Sequence, residues 1–217
     1  LLAFSSGTGN TGYFGLPIAL ILLPPEGVTL YLFCMLGINM YEFTVGFYLS
    51  ARGRFSVRES LIKISRLPLI YAFLFALLLS ALEITIPAAV MNSLQVFPAT
   101  YTLLGMMIIG MTLSQVTLAA WDSRFVATCL GLRYLLWPLV MLGAALILQW
   151  AAPLSTELAM ALLLIGVVPM ASNVVVVAME LGIQPQKGAL AVLVTTLLAP
   201  LLIPLYLGLM LRLTGLG

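Results

Sequence analysis

Residues 7–17 read Gly7-Thr8-Gly9-Asn10-Thr11-Gly12-Tyr13-Phe14-Gly15-Leu16-Pro17, inside an apolar stretch long enough to cross a membrane. Four glycines and one proline in these eleven residues disfavour a regular α-helix. Because proline is tolerated in the first turn of a helix, we expect Pro17 to begin a second half-helix. The unwound part leaves backbone N–H and C=O groups without intrahelical partners. At membrane depth, such groups must face protein or a water-filled cavity.

A second apolar stretch carries a comparable interruption, Gly166-Val167-Val168-Pro169-Met170-Ala171-Ser172-Asn173. Ser172 or Asn173 could cap the half-helix that follows. Either interruption taken alone could also be a proline kink with a packed polar residue. The two together are more informative, and we predict that both spans lose regular helix and cross each other near the middle of the membrane.

The composition places the whole chain in a membrane. Of 217 residues, 63% are apolar and 7% are charged, whereas soluble domains carry about 25% charged residues. The apolar stretches do not alternate with polar residues as β-barrel strands would, so we expect an all-α membrane protein, a helical bundle in the lipid bilayer. Seven such stretches occur, at about Leu1–Leu23, Val28–Leu49, Leu67–Leu82, Phe97–Thr117, Phe125–Trp150, Leu158–Leu181 and Ala189–Leu211.

Missing residue types exclude most enzyme chemistries. The chain has no histidine and a single aspartate, Asp122, which excludes histidine-based triads and aspartic dyads. It has no glycine-rich phosphate loop, and a net charge of +2 is too small to indicate nucleic acid as a partner. Cys34 and Cys129 fall at opposite predicted depths, too far apart for a disulfide. We therefore expect neither enzymatic activity nor a cofactor or metal.

The basic residues predict how the chain is oriented. Five of its nine Lys and Arg residues lie in residues 51–66, and short positive loops stay cytoplasmic. This connector could instead bind lipid headgroups or nucleic acid, but a solvated cytoplasmic connector explains it more simply. The same rule places Asp122 and Lys187 inside and the C-terminus outside.

The spacing of the two interruptions predicts a repeat. They fall in the first and sixth stretches, and an odd number of spans makes the broken helices run in opposite directions. Inverted repeats of five spans give this 5+5 arrangement. We therefore expect residues 1–50 to be the last two spans of a first repeat, with a crossover helix at 1–24. Residues 67–217 would be the second repeat, with a crossover helix at 157–182, and three spans would precede Leu1.

The first interruption resembles a known family signature. Asn10-Thr11-Gly12-Tyr13-Phe14-Gly15-Leu16-Pro17 is similar to the N-T-x-x-x-G-x-P signature of the auxin efflux carrier family. Pro169…Asn173, followed by a valine-rich run and Glu180-Leu181-Gly182, resembles that family's other crossover. The resemblance covers the last seven of ten family spans. It implies a secondary active transporter of small organic carboxylates, and the missing long hydrophilic loop favours a bacterial malate/malonate-type permease of the inner membrane over the plant auxin exporters.

Both crossovers supply groups that suit an anion. Helix N-termini carry about half a positive charge and bind anions without lysine or arginine. Asn10 and Asn173 could donate amide hydrogen bonds, Thr11 and Ser172 hydroxyl hydrogen bonds, and two glycines would let a substrate approach the backbone. The residues assigned to a carboxylate site are Asn10, Thr11, Gly12, Gly15, Pro17, Pro169, Ser172 and Asn173.

Two charged residues lie within the predicted spans. Glu42 and Arg133 are each about 14 Å along their helices from the predicted cytoplasmic face. They could form a structural ion pair, or extend separately towards the interface, or Glu42 could couple transport to a proton or sodium ion. We expect them to approach each other or to face a polar cavity.

Two other functions stay open at this point. One is a transporter of the same architecture with another cargo, such as a sodium-coupled bile-acid-like or cation/proton carrier. The other is a non-transporting membrane subunit, which has no need for two broken spans. A homodimer is compatible with either.

Overall fold

The computed structural model describes residues 1–52, 56–66, 68–114 and 121–214, and the regular elements in these ranges are helices. We number them in chain order and count a π-helical turn with the helix it belongs to. They are α1 Leu2–Gly7, α2 Thr11–Leu22, α3 Pro25–Ala51, α4 Val57–Ser65, α5 Pro68–Ala81, α6 Ala88–Leu94, α7 Val96–Ser114, α8 Ser123–Ala151, α9 Thr156–Val167, α10 Asn173–Leu181 and α11 Pro185–Thr214. The protein is therefore an all-α membrane protein, as predicted.

Each of the seven predicted apolar stretches contains helix. The first is divided into α1 and α2 and the sixth into α9 and α10, which confirms that both spans are interrupted. Within the described ranges, α3, α8 and α11 are long and apolar enough to cross a membrane by length and composition. The end of the fourth stretch, beyond Ser114, lies outside these ranges.

The basic connector forms the amphipathic helix α4 over Val57–Ser65. A capping box begins it, because Ser56 N–H donates to Glu59 Oε2 at 2.9 Å and Glu59 N–H donates to Ser56 Oγ at 3.3 Å. The Ser56 hydroxyl also donates to Glu59 Oε2, at 2.6 Å, and this bond and then the bond from Ser56 N–H hold the pKa of Glu59 below its usual value. Arg54 lies outside the described residues.

Local capping fixes the ends of the helices around the sixth stretch. Ser155 Oγ accepts from Leu158 N–H at 3.2 Å and starts α9. Gly182 ends α10 in the left-handed region, with φ of 64°, which glycine adopts without the steric cost of a side chain. The chain can therefore reverse direction within a few residues between α10 and α11.

The half-helix α9 lies at the centre of the bundle. It packs against α3, α8 and α11, and seven of its twelve residues are buried. A helix that is apolar on all sides is expected in such a position. The bundle core therefore forms around one half of a broken span.

Two apolar clusters lie on opposite sides of the interruptions. One joins α2 to α9, through residues such as Ala19 and Leu164. The other joins α1 to α10, through Phe4 and Val174. Each half of the first broken span therefore packs with one half of the other, and this holds the two interruptions together.

An ion pair joins the start of α8 to the start of α11. Lys187 Nζ lies 2.8 Å from Asp122 Oδ2, and Asp122 Oδ1 accepts from Phe125 N–H at 3.1 Å as an N-cap. Lys187 is the main cause that keeps the pKa of Asp122 below its usual value. A carboxylate with a lowered folded-state pKa stabilises the fold above its unfolded pKa. That contribution is lost as the pH falls through the folded-state pKa.

We expect Asp122→Ala to lower the thermal unfolding temperature more than Asp122→Asn, because asparagine keeps the N-cap and loses only the ion pair. The difference between wild type and Asp122→Asn should disappear as the pH is lowered below about 4. Thermal unfolding in detergent across pH measures both effects. Equal losses for the two variants at neutral pH would contradict the capping role.

Candidate functional site

The two interrupted spans cross each other directly. Gly9 and Met170 form an antiparallel β-bridge. Asn10 N–H donates to Pro169 C=O at 2.7 Å, and Ala171 N–H donates to Thr8 C=O at 3.3 Å. These bonds confirm that the interruptions meet, and they satisfy backbone groups that the helices leave unpaired.

The second half of the first span has two parts. Its regular α-helix begins at Leu16 with Pro17 in the first turn, as predicted, but a π-helical turn over Thr11–Gly15, which was not predicted, precedes it. Asn10 Oδ1 caps this turn and accepts from Tyr13 N–H at 3.1 Å and Phe14 N–H at 3.2 Å. This cap stabilises a turn that contains two glycines, which by themselves disfavour helix.

The second half of the sixth span starts as predicted, but without the side-chain cap. Ser172 occupies the N-cap position of α10, yet its side chain makes no capping hydrogen bond. Its backbone carbonyl instead accepts from Val175 N–H at 2.9 Å. Asn173 is the first residue of α10, and its Nδ2 donates to Glu42 Oε1 at 2.8 Å.

A small polar cavity of about 20 Å³ lies at the crossing. This volume accommodates roughly one water molecule. Five of the predicted site residues line it, together with six that were not predicted to bind substrate. The lining consists of Asn10, Thr11, Gly12, Ser172 and Asn173 from the predicted set, and of Gly9, Tyr13, Asn39, Glu42, Tyr101 and Ala171 in addition.

Part of this lining could have been found from the sequence. Asn39 lies three residues before Glu42, a spacing that puts both on one face of a helix. No sequence signal points to Tyr101, which packs against Tyr13 with ring centroids 4.5 Å apart. A Cβ atom on Gly12 would lie 2.7 Å from the Tyr101 hydroxyl. The absence of a side chain on Gly12 therefore leaves room for the Tyr101 hydroxyl at the cavity.

The Asn10 amide group provides a buried, unpaired donor at the cavity. Asn10 is 3% exposed, and its Nδ2 has no hydrogen-bond partner among the residues that the structure describes. Its Oδ1 is used as the cap of α2, so the unpaired group is a donor. A buried polar group left unpaired costs about 1–3 kcal/mol, and a bound acceptor would remove that cost.

Glu42 is a buried carboxylate in the same cavity. It is 1% exposed, and its Oε1 accepts from Asn173 Nδ2 at 2.8 Å. It begins a π-helical turn over Glu42–Gly46 in the middle of α3. Such turns are frequent at functional sites because they redirect side chains within a helix. Glu42 lines the polar cavity, as one of the two arrangements expected for it requires.

Arg133 is buried, but it makes no direct ion pair with Glu42. No nitrogen of its guanidinium group lies within 4.0 Å of a Glu42 oxygen. Its Nε donates to Val168 C=O at 2.5 Å and its Nη2 donates to Ile165 C=O at 2.9 Å. The positive charge thus caps the C-terminal end of α9, where the carbonyl groups carry partial negative charge.

Three predicted site residues lie outside the cavity. A Cβ atom on Gly15 would collide with the Tyr31 hydroxyl and lie 2.9 Å from Val168 Cγ1. Gly15 therefore allows helices to pack closely rather than giving a substrate access to the backbone. Pro17 lies within α2, and Pro169 contributes the carbonyl that binds Asn10 N–H.

Other residues of the bundle satisfy the remaining backbone groups at the crossing. Tyr31 Oη donates to Thr11 C=O at 2.7 Å, and Met170 N–H donates to Thr195 Oγ1 at 3.2 Å. Trp137 Nε1 donates to Ser6 C=O near the end of α1. No motif or spacing in the sequence predicts these contacts, since each joins residues far apart in the chain.

No metal site is evident in the part of the chain that the structure describes, because no group of three or more Cys, Asp or Glu side chains is placed to hold an ion. The polar groups at the crossing are mainly amides, hydroxyls and helix N-termini. They suit recognition of a ligand by hydrogen bonding.

Comparison with known proteins identifies the family. No curated protein and no solved structure matches the chain. The model of the family described as membrane transport protein matches residues 50–207. That range includes Pro169, Ser172 and Asn173 at the crossing, together with Arg133. The chain therefore belongs to the membrane transport protein family, which is the auxin efflux carrier family.

Proposed function

We propose that this protein is a secondary active transporter that moves small organic carboxylates across the bacterial inner membrane by alternating access. The observation that supports this most directly is the unpaired, buried Asn10 amide at a cavity where two half-helices begin. The unpaired atom is a hydrogen-bond donor, so the ligand that it fits is an acceptor. Carboxylates are acceptors with two oxygens.

Helix electrostatics favours the same ligand. The helices α2 and α10 both begin at the cavity, over Thr11–Leu22 and Asn173–Leu181. Each N-terminus presents partly positive backbone N–H groups. Arg133 adds a fixed positive charge near the crossing, since a Cβ atom on Gly9 would lie 2.7 Å from its Cζ.

The cavity also indicates that the protein must change conformation to bind a carboxylate. A volume of about 20 Å³ is too small for even a short dicarboxylate. Its walls belong to the two broken spans and to α3 and α7. Separation of the crossing from α3 or α7 would open the cavity, and opening it alternately to each side would give transport.

The antiparallel crossing supports the proposed 5+5 inverted repeat. In that arrangement, residues 1–50 close a first repeat and residues 67–217 form the second. The connector at 51–66 would then be cytoplasmic and the C-terminus outside. Labelling of single cysteines placed in the connector and after Thr214, in intact cells, tests this topology.

A carrier of another cargo is the nearest alternative. Glu42 favours a cation, because a buried carboxylate can bind a proton or sodium ion. A cation, however, would leave the Asn10 amide unpaired, whereas an anion pairs it. The cargo of the proposed transporter is therefore the anion, and a cation would be a coupling ion.

Asn10→Asp tests the carboxylate site. Aspartate caps helices as well as asparagine does, but it replaces the Nδ2 donor with an oxygen and, when ionised, also repels an anion. A lost hydrogen bond to a charged ligand costs about 1.5–3 kcal/mol, so we expect affinity to fall about tenfold or more. The full-length protein in proteoliposomes, assayed with radiolabelled malonate, malate, acetate and indole-3-acetate, provides the measurement.

Asn92→Asp on α6 is the matched control, because Asn92 is exposed and away from the crossing. It should transport like wild type. Wild-type uptake of all four carboxylates that matches empty vesicles would refute the proposed function. Unchanged affinity in Asn10→Asp would instead place the binding site elsewhere in the protein.

A further inference from the structure

Glu42 occupies a position that a bound carboxylate would compete for. Its carboxylate accepts from Asn173 Nδ2 at 2.8 Å, while Asn10 Nδ2 has no partner in the described part of the chain. Both amides line the same cavity. Asn39 adds a third side-chain amide to the lining. Of these three amides, the protein's own carboxylate uses that of Asn173, and Asn10 keeps an unpaired donor.

The charges around Glu42 limit what can enter. The titratable groups facing it are Tyr13 on α2, Tyr101 on α7 and Arg133 on α8; α10 presents the neutral amide of Asn173. Arg133 is within electrostatic range but bound to the carbonyl groups of α9. With Glu42 ionised, the site holds one positive and one negative charge.

A substrate anion would make this buried site net negative. Two carboxylates in one site of low dielectric do not both stay ionised without a large cost. Protonating Glu42 removes one of these negative charges, so that one substrate carboxylate is balanced by Arg133. Arg133 cannot adjust in the same way, because a guanidinium group stays protonated.

We propose that Glu42 is the proton-coupling group of the transporter, so that one proton binds to its carboxylate with each substrate molecule that enters the cavity. This inference rests on the proposed function and adds the coupling ion. The proton comes from water on the side to which the cavity is open. It leaves to water on the other side, after the substrate.

Protonation would also release the amide that the substrate needs. A neutral carboxyl group can donate its O–H to Asn173 Oδ1 instead of accepting from Nδ2. The Asn173 amide is then free to bind a substrate oxygen beside the Asn10 amide. Protonation of Glu42 therefore raises the affinity for the substrate, and a bound substrate raises the affinity of Glu42 for the proton by the same factor.

Glu42→Gln tests the proposal, with Glu26→Gln as the matched control. Glu26 is an exposed glutamate at the start of α3, the same helix that carries Glu42. The full-length protein is reconstituted in vesicles that contain a pH-sensitive dye and is given radiolabelled malonate with or without an inward proton gradient. Wild type and Glu26→Gln should accumulate malonate only with the gradient and should acidify the lumen as malonate enters.

Glu42→Gln should lose the accumulation driven by the gradient and still exchange internal for external malonate. Its malonate affinity should not depend on pH. Wild-type affinity should fall by up to about tenfold per pH unit once Glu42 is ionised, as one linked proton requires. Glu42→Asp, which keeps a titratable group, should restore part of the proton-driven accumulation.

Two results would overturn the inference while leaving the proposed function intact. One is proton-driven accumulation in Glu42→Gln equal to that of wild type. The other is malonate uptake by wild type with no acidification of the lumen, a measurement that needs no variant. Failure of wild type to transport malonate, malate, acetate or indole-3-acetate at any pH would instead refute the proposed function, and this inference with it.

Discussion

Replacing Arg133 with methionine is expected to destabilise the protein by about 2–4 kcal/mol. The change leaves the carbonyl groups of Val168 and Ile165 buried without donors, and each buried unpaired group costs about 1–3 kcal/mol. Removing the charge also removes the cost of burying it. The net loss of stability is therefore smaller than the sum of the costs of the two unpaired carbonyl groups. Thermal or denaturant unfolding in detergent measures it.

Arg133→Lys should lose nearly as much stability as Arg133→Met, although it keeps the charge. A single ammonium group cannot reproduce the fork of guanidinium N–H groups that reaches two carbonyl groups. Arg124→Met is the control, because Arg124 lies in the same helix and is exposed. If Arg133→Lys is as stable as wild type, the charge matters more than the geometry of the cap.

Gly9→Ala is expected to disturb the same cap from the opposite broken span. A methyl group at Gly9 would lie 2.7 Å from Arg133 Cζ and 3.0 Å from Nη1. The end of an arginine side chain can normally move away, but here it is held between two carbonyl groups. Overpacking of this kind costs about 1–3 kcal/mol. Gly143→Ala, where a Cβ atom meets nothing within 4 Å, should be neutral or slightly stabilising.

The double variant separates this explanation from a general effect of alanine at the crossing. If the methyl group acts by displacing Arg133, Gly9→Ala adds little to Arg133→Met, because the displaced group is already gone. Additive losses would mean that Gly9 contributes in another way, through the backbone of the β-bridge. Unfolding of the two single variants and the double variant completes the cycle.

The crossing could be predicted from the sequence because glycine and proline act on the local backbone. Two breaks in otherwise apolar spans, five spans apart, were sufficient to expect two helices interrupted at the same place. The prediction placed Pro17 correctly in the first turn of the regular α-helix but missed the π-helical turn before it, because Asn10 was treated only as a ligand donor. The Asn10 side-chain oxygen caps that turn, which uses one half of the amide.

The contacts of Glu42 and Arg133 could not be predicted from the sequence. Both were expected to need polar partners, since buried charges are costly. The partners are different, however: Glu42 contacts an amide 131 residues away in the chain, and Arg133 contacts carbonyl groups of α9. The π-helical turns at Glu42–Gly46 and Leu132–Leu136 rotate these side chains relative to a regular helix. No residue type in the sequence predicts such a turn.

Composition and local backbone preferences are thus sufficient to predict that the chain is helical, belongs in a membrane and breaks at two places. Which side chains meet at the crossing depends on tertiary packing. In a soluble helix, the apolar face indicates the side that packs inward. In this protein, both the core and the surroundings of the helices are apolar, so the sequence pattern does not fix how each helix is rotated. Close packing and the hydrogen bonds of the broken spans fix that rotation, and with it the cavity that holds Asn10, Glu42 and Asn173.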